Sequence, residues 1–203
     1  VLAGAGAEVT LLCAQGKKLP AQADGVHFAQ YPGGGRLKER LRTVGRLEAA
    51  LADQNCDVIH CHEPDSLVAA LRVKRRRGVK VVFDSHECWA GVAAARFPRP
   101  LWPAAMAAYR ACERRWLARC DAAFGASLAI SEDLAAVLGP ARVATLLNVP
   151  AADVFGAGAA KAAGPETILC HDGTLTFARG LKVMAEAVRL AAQEHRVVWK
   201  IVG

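Results

Sequence analysis

Short apolar runs alternate along the chain with longer segments in which apolar residues recur every three or four positions. That alternation predicts βα units on a parallel sheet. Residues 8–13, 26–31, 57–61, 79–84, 122–126 and 142–149 read as six strands. Several are continuously apolar, as expected where helices cover both faces of a sheet. Residues 37–52, 66–77, 103–119 and 132–138 read as helices. Ser131 is expected to cap the last of these, with Glu132 and Asp133 at its positive end and Gly139-Pro140 stopping it.

Between 151 and 165 the sequence turns to Ala, Gly and Pro, and periodicity fades. A linker is expected there. Beyond it come a strand at 167–171, a turn at Asp172-Gly173-Thr174, a helix over about 179–194 and a strand at 196–202. Leu181, Met184, Val188 and Ala191 share one face of that helix. The expected organisation is an α/β domain over 1–150, a linker over 151–165 and the first βαβ unit of a second α/β domain over 166–203. Both ends read as cut, the first resembling the end of a helix and the last a strand about to enter a loop.

Composition narrows the class. In 203 residues, 53% hydrophobic and 22% charged residues exclude disordered, collagenous and disulfide-scaffold chains. Charged residues interrupt every apolar run before it reaches the roughly 18–20 residues that span a bilayer. Seven scattered cysteines without a CxxC pair suit reduced thiols in a cytoplasmic protein. The net charge of +7 is concentrated between Arg72 and Arg119, where twelve Lys/Arg face three acids. Such a surface is either a solvated helix face or an attractor of anions. No stacking aromatics interleave the 72–77 run, so nucleic acid is not an expected partner.

In an open parallel sheet, ligands sit outside the carboxyl ends of the strands. Two such ends are chemically loaded: His60-Cys61-His62-Glu63-Pro64-Asp65, and Asp84-Ser85-His86-Glu87-Cys88. If the two strands are neighbours, three histidines and several carboxylates meet on one rim, which packing alone does not explain. His60 and His62 point to one side by the period of two, and with His86 or Glu87 they would resemble a zinc set. Hydrolase barrels that use such a pair carry further ligands on later strands, and none follow here, so no metal is expected. Gly4-Ala5-Gly6 is no dinucleotide fingerprint, because Val9 stands where its third glycine would be. Pro32-Gly33-Gly34-Gly35-Arg36 lacks the Gly-Lys-Ser/Thr of a P-loop. No Gly-x-Ser-x-Gly elbow occurs, and the nearness of Cys88 to His86 is not a triad.

Read in order, these landmarks resemble family 4 glycosyltransferases: Asp57-Val-Ile-His60-Cys-His62-Glu63, Val81-Val-Phe-Asp84-Ser-His86-Glu87, Ala126 through Leu134, and Leu146-Leu147-Asn148. His171-Asp-Gly173-Thr-Leu-Thr-Phe-Ala-Arg179-Gly180-Leu181 resembles the opening of that family's second domain. The resemblance implies a GT-B fold of two Rossmann-like domains, the first here lacking its initial strand. It implies metal-independent, retaining transfer of a hexosyl-type group from a nucleotide-diphosphate sugar to a glycan or lipid-linked acceptor, with no cofactor, in cell-envelope or exopolysaccharide synthesis.

On that resemblance His86 is the catalytic residue, and Arg179 and Gly173 contact the donor. His60, His62, Glu63, Asp84 and Glu87 are cleft or acceptor candidates. Two departures stand out. Thr174 follows Gly173 where the family often has arginine, and the family's paired donor-contacting glutamates would fall beyond Gly203, so the chain alone is expected to be inactive. The basic and aromatic run from Arg96 to Pro103, with Trp116, would suit peripheral docking on an anionic membrane. A nucleotide-sugar 2-epimerase and a non-catalytic glycan- or nucleotide-binding module are the alternatives.

Overall fold

A computed structural model describes residues 2–16, 20, 22–33, 37–149, 164–173, 175 and 179–202. The expected linker lies, apart from residues 164 and 165, outside them. The chain divides into two compact units, Val1–Val149 and Pro150–Gly203.

In the first unit, β1 (Val9–Ala14) pairs in parallel with β3 (Val26–Tyr31), and the short β2 (Gln22–Ala23) adds to β3 antiparallel. After α1 (Leu37–Ala52), a second sheet runs β4 (Val58–Cys61), β5 (Lys80–Ser85), β6 (Ala122–Gly125) and β7 (Val143–Thr145), all parallel. Their crossovers are α2 (Pro64–Arg77) between β4 and β5, α3 (Trp89–Ala94) and α4 (Trp102–Leu117) between β5 and β6, and α5 (Leu128–Leu138) between β6 and β7. The two sheets are bridged through α1 and α2, where Val44, Leu47 and Ala69 bury against Leu12, Tyr31 and Val68.

The ends of α2 show how sequence sets an element. Ser66 Oγ accepts from the Glu63 N–H (3.1 Å) and donates to the Glu63 carbonyl (2.7 Å), while Pro64 occupies the first turn, where a missing N–H costs nothing. At the other end Gly78 takes φ +74° and returns its N–H to the Lys74 carbonyl, with Lys74 to Arg77 at the negative pole of the helix.

The core lies on one face of the second sheet. Ile59, Cys61, Val81, Phe83 and Ala123 alternate inward against Leu67 and Val73 of α2, Leu117 of α4, and Leu134 and Leu138 of α5. The Ile, Val, Leu and Phe side chains among these each contribute about 1.5–3 kcal/mol when fully buried. Asp121 ties the lower end of this sheet together. It accepts from Lys74 and from the Val81 N–H (2.8 Å) and lies 3.3 Å from Lys80 Nζ. Burial alone would raise its carboxyl, but these bonds outweigh it and hold the group at about 2.

Several sequence expectations are revised. Helix α5 starts one turn earlier than 132, because Ser127 rather than Ser131 is its cap, the Ser127 hydroxyl accepting from the Ile130 N–H. Ser131 is buried inside that helix, where its hydroxyl accepts from Thr145 Oγ1 at 2.8 Å. The strand expected over 142–149 is only Val143–Thr145, since the register with β6 ends at Thr145 opposite Gly125, where the Leu146 N–H makes a last bond to the Gly125 carbonyl. The two-residue β2 and the alanine-rich α3 were too short to show a period. All seven cysteines are free thiols, and no described helix is long and apolar enough to cross a membrane.

The second unit is a βαβ unit: β8 (Thr167–Asp172), α6 (Leu181–Ala191) and β9 (Val197–Val202), with β8 and β9 parallel in register from Thr167↔Val197 to Asp172↔Val202.

Candidate functional site

Strand register assembles the site. His60 is opposite Val82 and Cys61 opposite Phe83, so His62, one residue further, falls beside Asp84. Alternate residues of neighbouring strands share a face, which places His60 and His62 with Asp84 and His86 opposite the core face. Asp84 is buried there, and the three histidines are exposed around it.

Asp84 Oδ2 lies 3.3 Å from His60 Nε2 and 3.4 Å from His62 Nδ1, while Oδ1 lies 3.4 Å from His86 Nε2. The His60 and His62 rings stack with centroids 4.7 Å apart, and Phe124, opposite Asp84 on β6, meets His60 edge-on at 5.8 Å. His62 Nδ1 and His86 Nε2 are hydrogen-bonded at 3.2 Å. The Asn148 amide nitrogen donates to His86 Nδ1 at 3.1 Å. With Nδ1 accepting, neutral His86 carries its proton on Nε2 and donates to His62, so one orientation of the ring is selected. Burial and the neighbouring His60 lower the His62 pKa, against the opposing pull of the Asp84 carboxylate.

The other candidates separate from this cluster. Glu63 lies at the N-terminal boundary of α2, where its backbone is bonded to Ser66. Glu87 belongs to a neighbouring cavity of about 630 Å³, walled by the end of β5 and by α3, α4 and α5 and carrying Arg110, Glu113, Arg114 and Asp133. Burial and Asp133 raise the Glu113 carboxyl, with Arg110 opposing. The Trp89 indole, also in this wall, has a buried N–H without a hydrogen-bond partner among the described residues.

Sequence reasoning named Glu87 of this cavity as a cleft candidate but not the rest of its wall, where Glu113, an acid inside the arginine-rich α4, was a further visible signal. Asn148 was noted only as a landmark, and its contact with His86 spans 62 residues of sequence.

Arg179 and Gly173 belong to the second unit. Gly173 takes φ +138°, a conformation side chains disfavour, and donates its N–H to the Val202 carbonyl at 3.0 Å. Arg179 is exposed immediately before Gly180, which caps α6 at φ +81°.

A parallel α/β sheet with a polar cluster at its carboxyl strand ends defines a ligand-binding or catalytic α/β protein. Known proteins narrow that class. Residues 1–149 match Glycosyltransferase Family 4, and the chain belongs to that family. No curated protein sequence matches the chain. Solved structures similar in fold include the following two. The apo form of the lipopolysaccharide outer core galactosyltransferase WaaB is 13% identical with a TM-score of 0.50, over 89% of this chain and 54% of its own. Os79 from O. sativa, in complex with UDP and deoxynivalenol-3-glucoside, is 17% identical with a TM-score of 0.54, over 98% of this chain and 61% of its own. The chain thus spans little more than half the length of these relatives.

Proposed function

We propose that this chain is part of a retaining, metal-independent glycosyltransferase that moves a hexosyl group from a nucleotide-diphosphate sugar to a glycan or lipid-linked acceptor in cell-envelope or exopolysaccharide synthesis. The observation that carries the reading is His86, held at the end of β5 in one orientation by Asn148 on one ring nitrogen and by His62 and Asp84 at the other. In glycosyl transfer, positive charge develops on the sugar as the diphosphate leaves, and groups fixed in advance stabilise it without reorganising. His86 would touch the sugar near the reacting carbon, and Arg179 would hold the diphosphate. The cavity beside Glu87 and Glu113 would receive the acceptor. The organisation proposed is an acceptor-side domain over 1–150 and the start of a donor-binding domain over 166–203. Because the chain spans 54% and 61% of its two solved relatives, the proposal includes its being inactive alone, on the cytoplasmic face of the membrane in the complete protein.

The test is transfer by the complete reading frame with panels of nucleotide sugars and acceptors. His86→Ala is expected to lower turnover about 100-fold or more, roughly 3 kcal/mol of barrier, with unchanged circular dichroism. Unchanged turnover would remove the catalytic assignment. Conversion of the donor without acceptor would favour the epimerase reading, and sugar binding without turnover the non-catalytic module.

A further inference from the structure

At the end of the first unit opposite the histidine rim, helices α2 and α4 finish side by side, and their last turns line a second cavity of about 800 Å³. We propose that this cavity binds a small anion carrying two or more phosphoryl groups, a pyrophosphate or a nucleoside diphosphate. The inference goes beyond the transferase reading and does not rest on it.

Both helices return from carboxyl strand ends to the amino ends of β5 and β6, where Lys74 Nζ donates to the Arg119 carbonyl at 2.9 Å and to Asp121. Five cations line the cavity: Arg72, Lys74, Arg75, Arg76 and Arg119. Glu48 is the one acid among the described lining residues, and it holds Arg72 at 3.1 Å and Arg76 at 2.8 Å. With Asp121 on Lys74, two carboxylates face five cations, and Arg75 and Arg119 have no acidic partner among the described residues. Arg72 also repels Arg75 and Arg76 at helical spacings of three and four. A phosphoryl anion relieves that repulsion, and guanidinium forks match its oxygens two at a time. The volume falls within the roughly 300–1,000 Å³ of small-molecule sites. Trp116, set edge-to-face on Tyr109 with centroids 6.0 Å apart, adds to the wall a fixed apolar ring of the kind on which a base packs. A lipid surface fits less well. The cations line a concavity, and among the described residues no exposed large apolar side chain lies on α2 or on the last two turns of α4, so nothing there would enter a bilayer.

The experiment is isothermal titration calorimetry of the 203-residue chain with inorganic pyrophosphate and, separately, with ADP, at fixed ionic strength. A site that survives Arg179→Ala is expected, because Arg179 stands in the second unit. Arg75→Ala with Arg119→Ala, both exposed and outside the core, should weaken it by about 100-fold, at roughly 10-fold for each charge-assisted bond lost. Arg42→Ala with Arg196→Ala removes the same charge elsewhere and should leave the affinity unchanged. Equal affinity for the two probes assigns the site to phosphoryl groups alone, and tighter ADP adds the ring; both support the site. Absence of saturable binding overturns the proposal, as does binding abolished by Arg179→Ala, full affinity in the Arg75 and Arg119 double variant, or an equal loss in the Arg42 and Arg196 control. Anionic vesicles that bind through Arg75 and Arg119 while neither anion does would assign the surface to lipid and overturn it equally.

Discussion

Gly125 closes β6 directly beneath the rim, and its lack of a side chain is a packing requirement. A Cβ at this position would stand 2.5 Å from Ser131 Oγ, 2.7 Å from the Ser131 backbone nitrogen and 3.0 Å from its Cα. Ordinary contact begins at 3.4 Å, so Gly125→Ala forces the start of α5 away from β6. Overpacking of this kind costs about 1–3 kcal/mol, and displacement of Ser131 strains its 2.8 Å hydrogen bond with Thr145, worth about 1 kcal/mol. The expected loss is roughly 2–4 kcal/mol, a fall on the order of 10 °C in Tm for a unit of this size. Urea unfolding followed by fluorescence reads this unit, because Trp89 and Trp116 pack against its core.

Two companion variants isolate the cause. Gly45, inside α1, has open space where its Cβ would be, so Gly45→Ala should stabilise by about 0.5–1 kcal/mol. Adding Ser131→Ala to Gly125→Ala removes the hydroxyl but not the backbone atoms, and stability should stay low. Wild-type stability in Gly125→Ala, or full rescue by Ser131→Ala, would refute the backbone argument.

Two further outcomes are expected. The Asp121 carboxyl, held at about 2 against an ordinary 3.8, binds protons less readily in the folded state, so its stabilising effect is complete above about pH 4 and is lost as pH falls through 2; acid titration of stability in Asp121→Asn should lack that component, and an unchanged acid limb would refute the assignment. At the α3–α4 corner Phe97, Leu101 and Trp102 are exposed among Arg96 and Arg99, so co-sedimentation with anionic vesicles should weaken with salt, and Arg96→Ala with Arg99→Ala should cost about 2 kcal/mol, roughly 30-fold; binding indifferent to salt or to both changes would remove the membrane surface.

Periodicity in the sequence was sufficient for the parallel α/β class, because continuous apolar strands and amphipathic helices are local patterns. It also located both loaded strand ends, since His60, His62, Asp84 and His86 lie at alternating positions that any parallel pairing directs to the carboxyl rim. The cap of α5 was misplaced because Ser127 and Ser131 are equally good caps locally, and only the close approach of Gly125 and Thr145 turns Ser131 inward. One register decided the rest. Pairing Cys61 with Phe83 puts His62 beside Asp84, and the return of the chain after β7 brings Asn148 to His86. The sequence by itself determined which polar residues stand at which strand ends, whereas distances of 3.2–3.4 Å between residues 22 or 24 positions apart exist only once two strands have paired, a contact between distant positions that no local pattern encodes.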